Sequence, residues 1–600
     1  MTDILQRVRE RKLGQWALAY LAGGWVLLQG LDLIGHQFDW PTSVLRGITV
    51  VLGVGFFTTL VLAWYHGERG VQKVSSTELL IIALLLAIGG ALLWRFARTA
   101  QEAAPVAIAA KQVAKPAIIP AKSIAVLPFV DMSSGHDQDY FSDGMSEEIL
   151  NALAQVKDLK VAGRTSSFYF KGRNEDLRTI AQTLGVAYLL EGSVRKQGDK
   201  VRITAQLIHA TDDFHLWSES YDGDLSDVFQ LQENIARAIT DQLKVVLEGG
   251  QKTRLVQVAT TSPDAYPLYL QASAIFNRRD GAHIPDAIAD LQQAIHLDPK
   301  YARAHAKLAS LYAIANTYND TFALTESLAA GEHEAQVATT LDPTLGEPYA
   351  ALGTIYDYRR QWIAARESAE HAVALEPGDP TANFWLGLAQ FDAGYRTLGI
   401  ASIDRALAID PLLPNALAWR AFCYFDAGDR DNAQRMAQRA VDEGLPFGEV
   451  LLAMLAHADG HDTDAIAHFN RSAYMALKGF PDDATATLAQ GIYGDAASHA
   501  RAVAMIDTYL ASRPRTISPR APWAFLMLGE PARALAVAQE PQASNDTIYL
   551  VWLWSSRGAT ARQLPQFPEF ARKIGLIDVW EKYGPPDDCK RKGPGDYVCK

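Results

Sequence analysis

Three prolines spaced 34 residues apart, Pro343, Pro377 and Pro411, constrain this chain more than any other feature. Each closes the same kind of tripeptide: Leu341-Asp342-Pro343, Leu375-Glu376-Pro377 and Ile409-Asp410-Pro411. A fourth, Leu297-Asp298-Pro299, lies 44 residues upstream of Pro343, so one repeat carries a ten-residue insertion. Proline cannot continue a helix, so each one fixes a turn. A 34-residue period with helical patterning between the turns predicts a stack of antiparallel helix pairs from about 263 to 446.

The unit from Gly346 to Pro377 shows the pattern. Tyr349, Leu352, Gly353 and Tyr356 fall on one helix, and Ala365, Ala369 and Ala372 on the next. Large residues at helical spacing form one apolar stripe, and the small ones let the second helix approach closely. Leu386, Gly387 and Ala406 repeat this, as do Tyr424, Ala433 and Ala440, and upstream Leu308, Ala309, Tyr312 and Ala338. This set resembles the tetratricopeptide repeat family. The resemblance implies a superhelix whose first helices line a concave, peptide-binding surface. Thr354, Tyr358, Phe384, Phe391, Phe422 and Phe425 would face it. That set is aromatic rather than basic, and it predicts an apolar peptide or helix as ligand.

Six hundred residues exceed one domain. The hydrophobic fraction of 49% conceals a far more apolar first hundred residues. Three runs there, about 13–34, 44–64 and 79–94, approximate the length needed to cross a bilayer. Arg7, Arg9, Arg11 and Lys12 precede the first run, which puts the amino terminus in the cytoplasm and residues 95–600 beyond the membrane. Residues 1–98 thus read as a membrane region and 99–122, rich in Ala, Pro and Lys, as a linker. A net charge of -12 with no long basic block argues against a nucleic-acid partner.

Residues 123–247 read as a small α/β domain. Ser123–Phe129 is a short apolar strand run, and Met145, Ile149, Leu150 and Leu153 share one helix face. In 201–209, Val201, Ile203, Ala205 and Leu207 alternate with Arg202, Thr204, Gln206 and Ile208, a strand with one face buried. The stretches SIAVLPF, YFSDGMSEEIL, GVAYLLEGSVRKQGDKVRITAQLIHA and FHLWSESYDGDLSDVFQLQENIA resemble the TolB amino-terminal-like, or FlgO-like, domain. That resemblance implies a bacterial membrane-anchored protein with the domain and repeats outside the cytoplasm. Such chains often carry a cytoplasmic cyclase or winged-helix domain before the membrane, whereas only 12 residues precede the first expected span here.

Beyond Pro446 the repeats degrade through 447–582, and 583–600 form a tail rich in Pro, Gly and charge. Cys589 and Cys599 lie ten apart in that tail and read as a disulfide if the tail is outside the cytoplasm. Cys423 reads as a buried packing residue. No nucleophile elbow, metalloprotease helix motif or phosphate loop occurs. The stretch HADGHDTDAIAH brings together His457, Asp459, His461 and Asp464, ligand types for a divalent metal, but at a point where a turn between repeat helices is expected.

These features predict a multidomain chain: transmembrane helices, a small α/β domain, then an all-α superhelix. The expected function is a non-enzymatic inner-membrane scaffold or sensor with no catalytic residues and no cofactor. Its expected partners are the membrane and an unidentified protein or peptide. The alternatives are a subunit relaying outside binding to a cytoplasmic partner, and an enzyme site within the α/β domain.

Overall fold

The computed structural model describes residues 119–600 apart from 136, 174, 211–213, 246–254, 257–258, 320, 474–479, 513–516, 519 and 541–546, together with Tyr20, Trp25, Leu52, Phe56 and Thr59. The chain divides into two compact units, Met1–Ile118 and Ile119–Lys600. In the first, the Tyr20 hydroxyl donates to the Leu52 carbonyl at 3.1 Å.

The expected transmembrane layer is corrected. No helix among the described residues is long and apolar enough to cross a membrane. The longest, Leu324–Leu341, carries Glu326, Glu332 and Glu334. The runs 13–34, 44–64 and 79–94 lie outside the described residues, as does most of the 99–122 linker. The inner-membrane location, the placement of 95–600 beyond it and the membrane as partner rested on those runs and are withdrawn with them. The described fold is a small α/β domain followed by an extensive all-α repeat region.

The α/β domain runs β1 (Ser123–Val126), β2 (Val130–Asp131), α1 (Asp139–Ala154), β3 (Lys160–Val161), α2 (Arg164–Phe168), α3 (Leu177–Leu184), β4 (Tyr188–Gln197), β5 (Lys200–His209), β6 (Phe214–Asp224) and α4 (Val228–Gln242). The sheet order is β3-β1-β4-β5-β6, with β2 also on β4. β1 pairs in parallel with β3 and β4, while β4, β5 and β6 form an antiparallel meander. Alternation along β5 buries Val201, Ile203, Ala205 and Leu207 against the main core. Ile208, expected on the wet face, is also fully buried. A register shift between Leu207 and Ile208 against β6 breaks the alternation there. Asp176 caps α3, accepting from the Thr179 N–H at 3.4 Å, and Gly185 ends it with φ +65°.

The repeat region comprises α5 (Ala265–Arg278), α6 (Ile284–Leu297), α7 (Ala302–Tyr318), α8 (Leu324–Leu341), α9 (Glu347–Tyr358), α10 (Trp362–Leu375), α11 (Pro380–Asp392), α12 (Arg396–Ile409), α13 (Pro414–Asp426), α14 (Arg430–Asp442), α15 (Phe447–Ala458), α16 (Asp462–Arg471), α17 (Ala484–Tyr493), α18 (Ala496–Ala511), α19 (Arg520–Met527) and α20 (Pro531–Ala538). Consecutive helices pack pairwise from α5/α6 to α19/α20, and first helices of neighbouring pairs also touch at α5/α7, α7/α9, α9/α11 and α13/α15. Gly353 explains the close approach within one pair: a Cβ there would lie 3.1 Å from the Ala369 Cβ.

The repeats and the α/β domain share one seam. Phe229 of α4 stacks edge-on against Tyr266 of α5 at 4.9 Å, and Gln232 donates to the Tyr266 hydroxyl at 2.7 Å. Glu148 of α1 pairs with Arg303 of α7 at 2.5 Å. Farther along, Asp410 is fully buried and accepts from the backbone N–H of Thr165 at 2.9 Å and of Ser166 at 2.8 Å. The Ser166 hydroxyl donates to the same carboxylate and accepts from the Leu412 N–H at 2.8 Å. Gly163 makes this possible, because a Cβ there would stand 2.4 Å from the Asp410 Cβ.

After α20 the chain returns to the middle of the array through α21 (Thr547–Leu553), α22 (Ala559–Arg562), α23 (Phe567–Lys573) and α24 (Leu576–Tyr583). Indole N–H groups anchor the return. Trp554 donates to the Asp392 carbonyl at 3.0 Å, Trp580 to the Ala393 carbonyl at 2.9 Å, and Trp362 to the Ile574 carbonyl at 2.7 Å. A hairpin, β7 (Cys589–Gly593) and β8 (Asp596–Cys599), ends the chain. Cys589 stands opposite Cys599 in it and the two are joined by a disulfide.

Candidate functional site

The first helices of four repeats, α7, α9, α11 and α13, meet around a cavity of about 320 Å³. Helical spacing puts Thr354, Asp357 and Tyr358 of α9 on its wall, and Phe384, Trp385 and Leu388 of α11. Tyr318, Asn415, Trp419, Phe447 and Arg520 complete the polar and aromatic lining. Three polar contacts order the wall. The Tyr358 and Thr317 hydroxyls share a hydrogen bond of 2.7 Å, the Asn415 amide donates to the Tyr318 hydroxyl at 3.4 Å, and the Thr354 hydroxyl donates to the Ala350 carbonyl at 3.3 Å. The Trp419 and Phe447 rings lie 5.2 Å apart. Such a site is apolar with a few placed polar groups, the usual make-up of a ligand pocket.

Of the six groove residues expected from the sequence, Thr354, Tyr358 and Phe384 line this cavity. Phe391, Phe422 and Phe425 do not. Phe391 packs into α12 at Gly399, where a Cβ would lie 2.5 Å from its Cδ2. Phe422 is covered by the returning chain, its ring 4.3 Å from Trp552. Phe425 is half-buried against the core. Periodicity placed all six on first helices, but it carries no signal for a segment returning from more than a hundred residues downstream. Asp357, Trp385 and Trp419 were missed, although each lies within three residues of an expected position on the same helix.

The acidic and histidine-rich stretch forms the turn between α15 and α16, with His461 at the start of α16. Its charges pair locally: His457 with Asp462 at 2.5 Å, His468 with Glu449 at 2.6 Å, and Asp459 with Arg430. Asp459, His461 and Asp464 line a second hollow of about 300 Å³. Among the described residues no three His, Cys, Asp or Glu side chains come together in a set suited to a metal ion. Cys423 is buried, and burial pushes its thiol up to about 12.

Residues 120–238 match the family model described as HilA/YgeH-like transcriptional regulator, second domain. The α/β domain is therefore similar to that family, and the TolB-like, membrane-anchored resemblance is corrected accordingly. A Rhizobium meliloti (strain 1021) protein named "Putative adenylate cyclase 3" is 36% identical over 259 residues, 43% of each chain. The chain thus spans under half the length of this curated relative. This similarity conflicts with the expectation of a strictly non-enzymatic protein, which is withdrawn.

Among solved structures, the Cut9–Hcn1 hetero-tetramer of the APC/C is 15% identical, covering 50% of this chain and 59% of that one with a TM-score of 0.33. PilW, a type IV pilus biogenesis factor, is 19% identical over 35% of this chain and 93% of its own, at a TM-score of 0.28. YrrB, a tetratricopeptide protein, is 21% identical over 33% and 92%, at 0.22. These low scores carry no functional weight.

Proposed function

We propose that this chain is a protein-interaction scaffold whose repeats bind a peptide segment of a partner in the cavity between α7, α9, α11 and α13. The observation that carries this reading is the cavity itself: four successive first helices give it aromatic walls broken by Thr354, Asp357 and Asn415. Aromatic walls supply contact area, and the few polar groups set register and orientation. The α/β domain, fixed to the array through Asp410 and Glu148, holds the repeats in one curvature. Selection of a displayed random peptide library on the full chain tests the reading, with counter-selection on Trp419→Ala. Enriched peptides that bind the parent and lose at least tenfold affinity for the variant support it. Failure to enrich, or equal binding to both proteins, refutes it.

A second reading is favoured by the 36% identity over 259 residues to the Rhizobium meliloti protein. In it, the chain takes part in nucleotide cyclisation, and the shared segment serves both proteins in the same way. Formation of cyclic AMP from ATP by the purified full chain, alone and with selected peptide, tests this. Product above a boiled-protein control supports cyclase chemistry, and none under either condition removes it.

A further inference from the structure

Strand β6 ends the sheet: it pairs with β5 on one side, and among the described residues no strand pairs with the other. It is eleven residues long, with seven exposed and none buried. The opposite edge strand, β3, has only two residues and buries Val161. An uncovered strand as long as β6 presents a row of outward-facing N–H and C=O groups, a template for a further strand. It carries neither the lysine nor the proline that commonly blunts such an edge. Its one irregularity, opposite Leu207 and Ile208, leaves 217–224 in unbroken register. At its start Phe214 is 68% exposed and Leu216 47%.

The charges along β6 suit a second copy of the same strand. Asp222 is paired with Arg202 and Asp224 with Lys200, each at 2.6 Å, so the acidic end is already neutralised within the chain. Glu219 accepts from the Tyr221 hydroxyl at 2.6 Å. Two identical antiparallel strands are related by a two-fold axis, and residues facing each other across it share one face of the sheet. An axis at Glu219 or Asp222 would set like charges opposite each other, and one at Tyr221 would set Trp217 opposite Leu225, beyond the strand. An axis at Ser220 does neither. We propose that β6 pairs antiparallel with β6 of a second copy about Ser220, joining two α/β sheets edge to edge. Trp217 then faces Gly223, Glu219 faces Tyr221 and Ser218 faces Asp222, each pair occurring twice. The Trp217 ring covers a residue without a side chain, the Tyr221 hydroxyl has a carboxylate opposite it, and Phe214 and Leu216 lose water against the end of the other strand. The proposal is independent of peptide binding by the repeats.

The test is sedimentation equilibrium of the full chain over a range of concentrations, with thiol cross-linking to read the register. The parent is expected to dimerise reversibly. Ser220→Arg sets two guanidinium groups opposite each other and should weaken the dimer at least about tenfold, with an unchanged circular dichroism spectrum. Cys423 is buried and Cys589 is joined to Cys599, so a thiol introduced on β6 is read without background. Ser220→Cys should be joined to its counterpart by a short bifunctional thiol reagent, because facing Cβ atoms lie about 5 Å apart. Ser218→Cys should not, because its counterpart lies four residues along the strand, about 13 Å away. If Ser220→Arg does not fold, the two cysteine variants decide alone. A chain that stays monomeric overturns the proposal and leaves the edge to a strand of another protein. A dimer indifferent to Ser220→Arg, or cross-linking at Ser218→Cys as strong as at Ser220→Cys, also overturns it.

Discussion

The carboxylate of Asp410 accepts the backbone N–H of Ser166 at 2.8 Å, across 244 residues of chain. Asp410 is the acidic residue of a repeat-closing tripeptide, and its counterparts do different work. Asp342 accepts from the nearby Thr344 N–H at 3.0 Å. Asp298 accepts from the Lys300 N–H at 3.1 Å and from the Thr260 hydroxyl at 2.5 Å. Glu376 reaches back to the Gly346 N–H at 3.0 Å. One position of the repeat thus ties a turn in some units and joins two domains in another.

Asp410→Ala leaves the Thr165 and Ser166 N–H groups and the Ser166 hydroxyl without their acceptor. Loss of a buried acceptor costs about 1–3 kcal/mol per stranded group, less than additively. We expect Asp410→Ala to lower stability by about 3 kcal/mol in urea unfolding, and Asp342→Ala by under ~1 kcal/mol. Equal effects would mean that Asp410 is not the joint.

The contribution of Glu376 to stability should fall as pH rises from about 4.5 to about 7. Burial, and next the charge of Asp379, raise its carboxyl from 4.5 to about 7. Glu347 adds to the rise, while the Gly346 N–H and Arg303 oppose it. The folded chain therefore holds a proton between about 4.5 and 7 that the unfolded chain releases, so this group's contribution is present at low pH and lost on raising pH. In Glu376→Gln the side-chain carbonyl still accepts from Gly346, and the slope should flatten. Urea midpoints at pH 4, 6 and 8 measure this: the variant should gain on the parent as pH rises, and a constant difference would contradict it.

Reducing the Cys589–Cys599 bridge frees a ten-residue separation and should cost about 3 kcal/mol in the C-terminal hairpin. Tyr597 packs on Trp580 with ring centres 5.2 Å apart, and Arg562 donates to the Lys600 carbonyl at 3.0 Å. Loosening should therefore reach α24 and leave the α/β sheet unchanged. Hydrogen exchange with and without reductant checks the pattern, and uniform loosening would contradict it.

Trp552→Ala should destabilise the returning segment by about 3–5 kcal/mol, since Trp552 is fully buried between Phe422 and Trp523. Limited proteolysis should then cut first between α20 and α21. Unchanged proteolysis would show that the return is held elsewhere.

Much of the repeat architecture was legible because local chemistry wrote it at a fixed period: turn prolines, small residues at close approaches, large ones on one stripe. Gly353 beside Ala369 is such a case. The α/β strands were legible from alternation until the bulge at Leu207 and Ile208 broke it. The short helix α2 was not, because its N-terminal N–H groups bond to Asp410, and no local pattern encodes a distant acceptor. The cavity was half legible. Thr354, Tyr358 and Phe384 followed from helix faces, whereas the loss of Phe422 to Trp552 followed from chain return.

Hydrogen exchange of the full chain with and without a library-selected peptide tests peptide binding by the repeats most directly. Binding in the cavity predicts slower exchange in Glu347–Tyr358, Pro380–Asp392 and Pro414–Asp426, the first helices that line it. Protection confined to the second helices Trp362–Leu375 and Arg396–Ile409, or to the α/β sheet, would contradict it.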